Sequence, residues 1–130
     1  MLDIAYASPA EREEVAQFMN AVFVRAKWGI DSWRKLLAGR WCGPEGRYAI
    51  TVRDDGKLIG VLGLVYAERQ TSNGPRTTAD MTSWYVLKEY RGQGVGKKMI
   101  ALATLDPDVT VTNFSSAKAA VNVLEFFFFF

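Results

Sequence analysis

The sequence contains no histidine and a single cysteine, Cys42. Without histidine there is no imidazole to relay a proton to a nucleophile and none to ligate zinc, so no metal site is expected. One cysteine excludes an intramolecular disulfide, and a reducing, cytoplasmic setting is expected. Cys42 also lacks an imidazole to activate it and reads as a buried structural thiol. No apolar run reaches the roughly 18 residues that cross a bilayer, so no membrane span is expected. The first residues carry acids (Asp3, Glu11, Glu13, Glu14) and no apolar signal core. Positive charge is nearly balanced, with 16 Lys and Arg against 14 Asp and Glu. No basic block is present, which argues against a nucleic-acid groove. A length of 130 residues suits one core and is too short for two ordinary domains, so a single domain over 1–130 is expected.

What is present divides into short periodic segments. Ile4 to Ala7 read as a strand. Ser8-Pro9-Ala10-Glu11 is a capping box with proline at the first helical position. Val15, Phe18, Met19 and Val22 form the apolar stripe of the helix that follows, to about Phe23. Asp31 or Ser32 is expected to cap a second helix, with Trp33, Leu36 and Leu37 on one face, running to about Arg40. Tyr48, Ile50 and Val52 alternate with Ala49 and Thr51 as a strand does. Asp54-Asp55-Gly56 is a hairpin turn. Leu58 to Ala67 is a long apolar strand in which Gly60 and Gly63 mark a bulge or a close backbone approach. Thr71 to Pro75 reads as a loop and Asp80 to Leu87 as the next strand. A helix from about Gly94 to Thr104 precedes a turn at Asp106-Pro107-Asp108. A strand from Val109 to Phe114 and a helix from Ser116 to about Glu125 complete the pattern. The order β-α-α-β-β-β-α-β-α predicts an α/β domain with a mixed sheet. Three successive antiparallel strands, a β-α-β crossover and helices on both faces are its expected parts.

The segment Arg91-Gly92-Gln93-Gly94-Val95-Gly96-Lys97-Lys98 joins a strand to a helix. Its glycines let backbone N–H groups converge, and the helix dipole adds partial positive charge there. Acids normally occupy a first helical turn, yet this one offers Arg91, Lys97 and Lys98. Cations there cost stability unless an anion arrives, which points to a phosphate-bearing ligand. The alternative is a solvated basic turn whose glycines serve loop geometry only. The dinucleotide fingerprint fails because Lys97 stands where its third glycine belongs. The Walker-type loop fails because it needs glycine at Arg91 and Ser or Thr at Lys98.

What remains is Arg-x-x-Gly-x-Gly, carried by Arg91, Gly94 and Gly96 and preceded by Val86-Leu87-Lys88-Glu89-Tyr90. This resembles the pyrophosphate-binding segment of the GNAT superfamily of acyl-CoA-dependent N-acyltransferases. Ser83 to Gly92 is similar to the strand-4 signature of that superfamily, with Lys88 in place of its common proline. The resemblance implies acetyl-CoA or another acyl-CoA as co-substrate and a small-molecule or peptide amine as acceptor. It implies that a bulge in strand 4, at Tyr85, Val86 and Leu87, directs amides at the pantetheine arm and the thioester oxygen. Amides of Arg91, Gly92, Gln93, Gly94, Val95, Gly96 and Lys97 would hold the pyrophosphate, and Asn113 would bond the pantetheine arm. Asp80, read as the start of strand 4, is the first choice for a base. Tyr66 and Glu68, read as the end of strand 3, come next, and each of the three has an ordinary strand-end role as its alternative. Ser83 reads equally well as a plain strand residue. Trp33, Trp41 and Trp84 read as core rather than as an acceptor pocket.

Two departures from the family stand out. Leu124 occupies the position of the family's acid tyrosine, and Phe128 that of a following glycine. The sequence then ends in Phe126 to Phe130, where the family fold continues through two more strands. A truncated coding sequence, or a tail that buries this run in a homodimer, would each account for the ending. Three readings stay open: an N-acyltransferase, a GNAT-like module that holds CoA without turnover, and a fragment without activity.

Overall fold

The structure is a computed structural model and describes residues 1–38, 43 and 46–112. Among the described residues, five strands form one sheet in the order β1-β2-β3-β4-β5. They are β1 (Leu2–Tyr6), β2 (Ala49–Asp54), β3 (Lys57–Thr71), β4 (Gly74–Val86) and β5 (Val109–Thr112). The helices are α1 (Arg12–Val22), α2 (Ile30–Leu37) and α3 (Val95–Ala103). The first four strands pair antiparallel, and β5 joins β4 in parallel through the α3 crossover. The expected order holds through β5. The last expected helix, the phenylalanine run, Leu124, Asn113, Trp41 and Cys42 lie outside the described residues.

Alternation divides the core into two layers. Ile50, Val52, Leu62, Leu64 and Tyr66 face Val95, Met99, Ile100 and Ala103 of α3. Ala49, Val61 and Tyr48 face Val15, Ala16 and Met19 of α1 and Trp33 and Leu37 of α2. Helices therefore cover both faces, as the element order required. Gly63 lets α1 close on the sheet, since a Cβ there would stand 3.3 Å from Met19 Cε.

Two register shifts adjust the sheet. Val52 pairs with Gly60 and Arg53 with Leu58, which leaves Ile59 as an extra residue on β3. Leu62 pairs with Trp84 and Leu64 with Met81, so Thr82 and Ser83 together oppose Gly63. The bulge of β4 thus falls earlier than the expected Tyr85 to Leu87. The strand ends also differ from expectation. The stretch expected as a loop is a tight hairpin in which Thr71 pairs with Gly74 and Gln70 with Pro75. Asp80 consequently lies mid-strand, and Tyr66 and Glu68 do not end β3. Pro75 is tolerated because it sits at the strand's first paired positions. At α2 the expected caps Asp31 and Ser32 lie inside the helix, and Gly29 is the cap in extended backbone (φ −86°, ψ 169°).

Ion pairs tie the α1–α2 layer to the sheet. The capping box forms, with Ser8 N–H donating to Glu11 Oε1 at 2.8 Å. Arg53 of β2 reaches Glu11 and Glu14, and Arg34 of α2 grips Glu13 through Nε (2.8 Å) and Nη2 (2.7 Å). The Ser8 amide holds Glu11 below its ordinary range, and Arg53 does so for Glu14. Arg34 lowers Glu13 from 4.5 to about 2. Groups with depressed folded-state values stabilise above their unfolded pKa and lose that contribution as pH falls through the folded one. The urea midpoint should therefore drop between about pH 5 and pH 2, with a shallower drop in Arg53→Met.

Candidate functional site

The carboxyl end of β4 is held from three sides. Leu87 N–H donates to the Ile59 carbonyl of β3 at 2.8 Å. The chain then makes one 3-10 turn, Lys88–Tyr90. Tyr90 Oη donates to Asp54 Oδ2 at 2.6 Å, which lowers the Asp54 pKa and raises that of Tyr90. Arg91 Nε donates to the Val86 carbonyl at 2.8 Å, and its guanidinium lies 5.0 Å from the Tyr85 ring centre. Arg91 is thus engaged in closing the end of β4, a role the sequence pattern did not show.

After this anchor, Gly92 and Gly94 adopt left-handed backbone, with φ of 82° and 79°. Both positions are open, since an added Cβ would meet nothing within 4 Å. Their conformation, not crowding, demands glycine. Gly94 caps α3, and the first ladder bond runs from Lys98 N–H to the Gly94 carbonyl at 3.2 Å. The N–H groups from Gly92 to Gly96 precede that ladder, at the positive end of the helix dipole. No acid lies in the first turn of α3. Such a turn offers amide donors and positive potential to an anion, as the diphosphate of CoA requires.

Gly96 has a different reason to be glycine. A Cβ there would stand 2.8 Å from Trp84 Cζ2, so the α3 backbone packs directly on the Trp84 ring. Trp84 therefore lies beneath the loop, on the α3 face of β4, and not in an acceptor pocket. Trp33 is 3% exposed and stacks on Phe23 at 5.4 Å, a core residue as expected.

The expected side chains are distributed over two faces. Asp80 is half-buried and pairs in register with Thr112, whose hydroxyl lies 3.4 Å from Asp80 Oδ1. Beyond this pair, Met81–Val86 has β3 on one side and no strand on the other among the described residues. Ser83 lies beside Gly63, with its Oγ 3.0 Å from Thr82 Oγ1. Tyr66 is buried on the opposite face and covered by Gly43, and burial raises its pKa. Glu68 is exposed and pairs with Thr77, on the same face as Tyr66. Neither reaches the face of Asp80. Of the three backbone positions expected to serve the thioester, Leu87 has its N–H committed to β3. Alternation places the Tyr85 N–H on that side too and turns the Val86 N–H to the open side. Among the described residues, no cluster of three His, Cys, Asp or Glu gathers as for a metal. No described helix is long and apolar enough to cross a membrane.

Among the described residues β4 has no second strand partner beyond Asp80, and an amide-lined turn follows at the carboxyl end of the same strand, an arrangement open to a phosphate-bearing ligand. The chain belongs to the acetyltransferase (GNAT) family, whose model matches residues 12–104, and is by class an N-acetyltransferase. A ribosomal-protein-alanine N-acetyltransferase from Brucella melitensis superposes with a TM-score of 0.70 at 18% identity, over 98% of this chain and 90% of that one. NAA60 of Arabidopsis thaliana, solved with acetyl-CoA, gives 0.69 at 15% identity, over 96% and 84%. The aminoglycoside acetyltransferase meta-AAC0020, from an uncultured soil metagenomic sample and solved with sisomicin, gives 0.68 at 18%, over 96% and 84%. At these identities the likeness is one of fold. No protein with a curated description matches the sequence significantly.

Gly96→Ala should destabilise the chain by about 1–3 kcal/mol in chemical denaturation, because the ring and helix must part. Paired with Trp84→Ala, the same change should cost far less, a coupling that a double-mutant cycle will read.

Proposed function

We propose that the chain moves an acyl group, acetyl in the simplest case, from acyl-CoA to a primary amine by direct attack. The observation that carries this reading is the pair of left-handed glycines opening α3, beside a β4 edge without a strand partner among the described residues. The co-substrate supplies a thioester carbon open to attack and a thiolate leaving group. The amides of Gly92 to Gly96 bind its diphosphate, and Lys97 adds charge at the same helix end. The Val86 N–H, turned to the open side, holds the arm of the co-substrate along β4. Backbone donors suffice for this work, since developing charge on the thioester oxygen needs only a fixed dipole nearby. Asp80 accepts the proton of the incoming amine, directly or through one water, with Thr112 orienting its carboxylate. The acceptor enters on the face of Asp80, where α1 packs on Gly63. The lone cysteine suits a reducing compartment, so the cytoplasm is the proposed location.

Radiolabelled acetyl-CoA and a panel of amines test the reading. Gly94→Trp should abolish both CoA binding and transfer, because it strains the turn and fills the open space in front of it. Asp80→Asn should lower kcat by about 10²–10⁴-fold while leaving CoA affinity in calorimetry unchanged. Transfer that survives Gly94→Trp would remove the loop from the site. Equal loss of CoA binding in Asp80→Asn would assign Asp80 to structure and not to proton transfer.

A further inference from the structure

The β3–β4 hairpin carries an unusual opposition. Arg69 and Arg76 are direct cross-strand partners. Like charges placed so are destabilising unless something of opposite sign lies between them. Neither guanidinium bonds a carboxylate among the described residues. Arg69 Nε donates to Thr78 Oγ1 at 3.3 Å. Arg76 gives Nε to Thr110 Oγ1 at 2.7 Å and Nη2 to the Pro107 carbonyl at 2.9 Å. The threonines orient the two forks without neutralising them. Both Nη groups of Arg69 and Nη1 of Arg76 remain as donors without a described partner, on side chains that are exposed.

The pair shares a face with Asp80. Arg69 reaches Thr78, Arg76 reaches Thr110, and Thr78 and Thr110 are paired in register one step before the Asp80–Thr112 pair on the same side of the sheet. The threonines that hold the two guanidiniums stand two residues before Asp80 and Thr112, about 7 Å along the strands. A lone amino acid is too short to span that distance between its amine and its carboxylate. An extended peptide with an acidic side chain a few residues from its amino terminus is long enough.

We propose that Arg69 and Arg76 bind a carboxylate of the acceptor, and that the acceptor is an acidic peptide presenting its free amino terminus to Asp80. This deepens the acyltransferase reading and rests on it. The same charges disfavour polycationic acceptors, which would face two guanidiniums at the entrance.

Equilibrium binding tests the proposal separately from turnover. Two short peptides, labelled at the carboxyl end, carry either aspartates or asparagines at their second to fourth positions. Their anisotropy is read against the whole chain saturated with CoA. The aspartate peptide should bind about fivefold tighter at low salt, the scale of two exposed charge pairs, and the advantage should shrink as salt is added. Arg69→Gln/Arg76→Gln should bring the two peptides to equal affinity. Arg69→Glu/Arg76→Glu should instead favour a lysine-bearing peptide, a gain that a merely unfolded variant cannot show. Equal binding of both peptides by the unaltered chain, or a preference that persists in the glutamine variant, would overturn the proposal. So would failure of the charge-reversed pair to switch preference. Preserved discrimination without any product from acetyl-CoA would overturn the acyltransferase reading and leave the arginine seat standing.

Discussion

Everything at the carboxyl end of β4 depends on how the strand's last residue is tied down. Leu87, Tyr90 and Arg91 each return a hydrogen bond to the sheet within five residues, to Ile59, Asp54 and Val86. Those bonds fix where the chain leaves β4. Only then do two left-handed glycines place the start of α3, and only a fixed start gives the amides ahead of its ladder a common direction. A turn with the same glycines and no anchor would offer the same donors to water. Burial of Val95 and Met99 holds the helix from the other side, and the Trp84–Gly96 contact sets how close it lies.

The two faces of the sheet differ in chemistry. Its α3 face is apolar from Ile50 to Ala79 and ends in the Tyr6–Tyr66 pair. The other face is apolar only where α1 and α2 cover it. Past Gly63 it becomes polar, with Thr78, Asp80, Thr112 and the two arginines in adjacent columns. The bulge at Thr82 and Ser83 marks the transition, since it resets which side of β4 each later residue faces. Unbroken alternation from Met81 would instead turn Trp84 away from α3 and Tyr85 toward it. The turn into α3 and the polar face around Asp80 would then lose their separate supports.

Much of this was legible in the residues themselves. The capping box at Ser8, the Asp-Gly turn and the apolar alternation of β2 are local signals, decided by hydrogen bonds and sterics within a few residues. The glycine-rich turn was legible for the same reason, because an amide-lined helix start needs little beyond its own backbone. The beginning of β4 was not. Arg76, Thr77 and Thr78 carry no apolar alternation, since the hairpin tip is exposed, so its pairing is set by β3 rather than by its own composition. With Thr71 and Gly74 taken as the ends of a two-residue turn, the Arg69–Arg76 pairing would have been readable.

The order of elements, the two-layer burial and the glycine-rich turn into α3 are written in the residues, because periodicity and turn chemistry act over short range. Tertiary structure alone decided what each conspicuous residue does. Gly94 is required by its φ and Gly96 by the Trp84 ring. Arg91 closes a strand, Tyr66 is buried away from Asp80, and Asp80 is paired with Thr112 of β5. Each of these roles rests on contacts between residues distant in the chain or on the register between strands, and no local pattern records them.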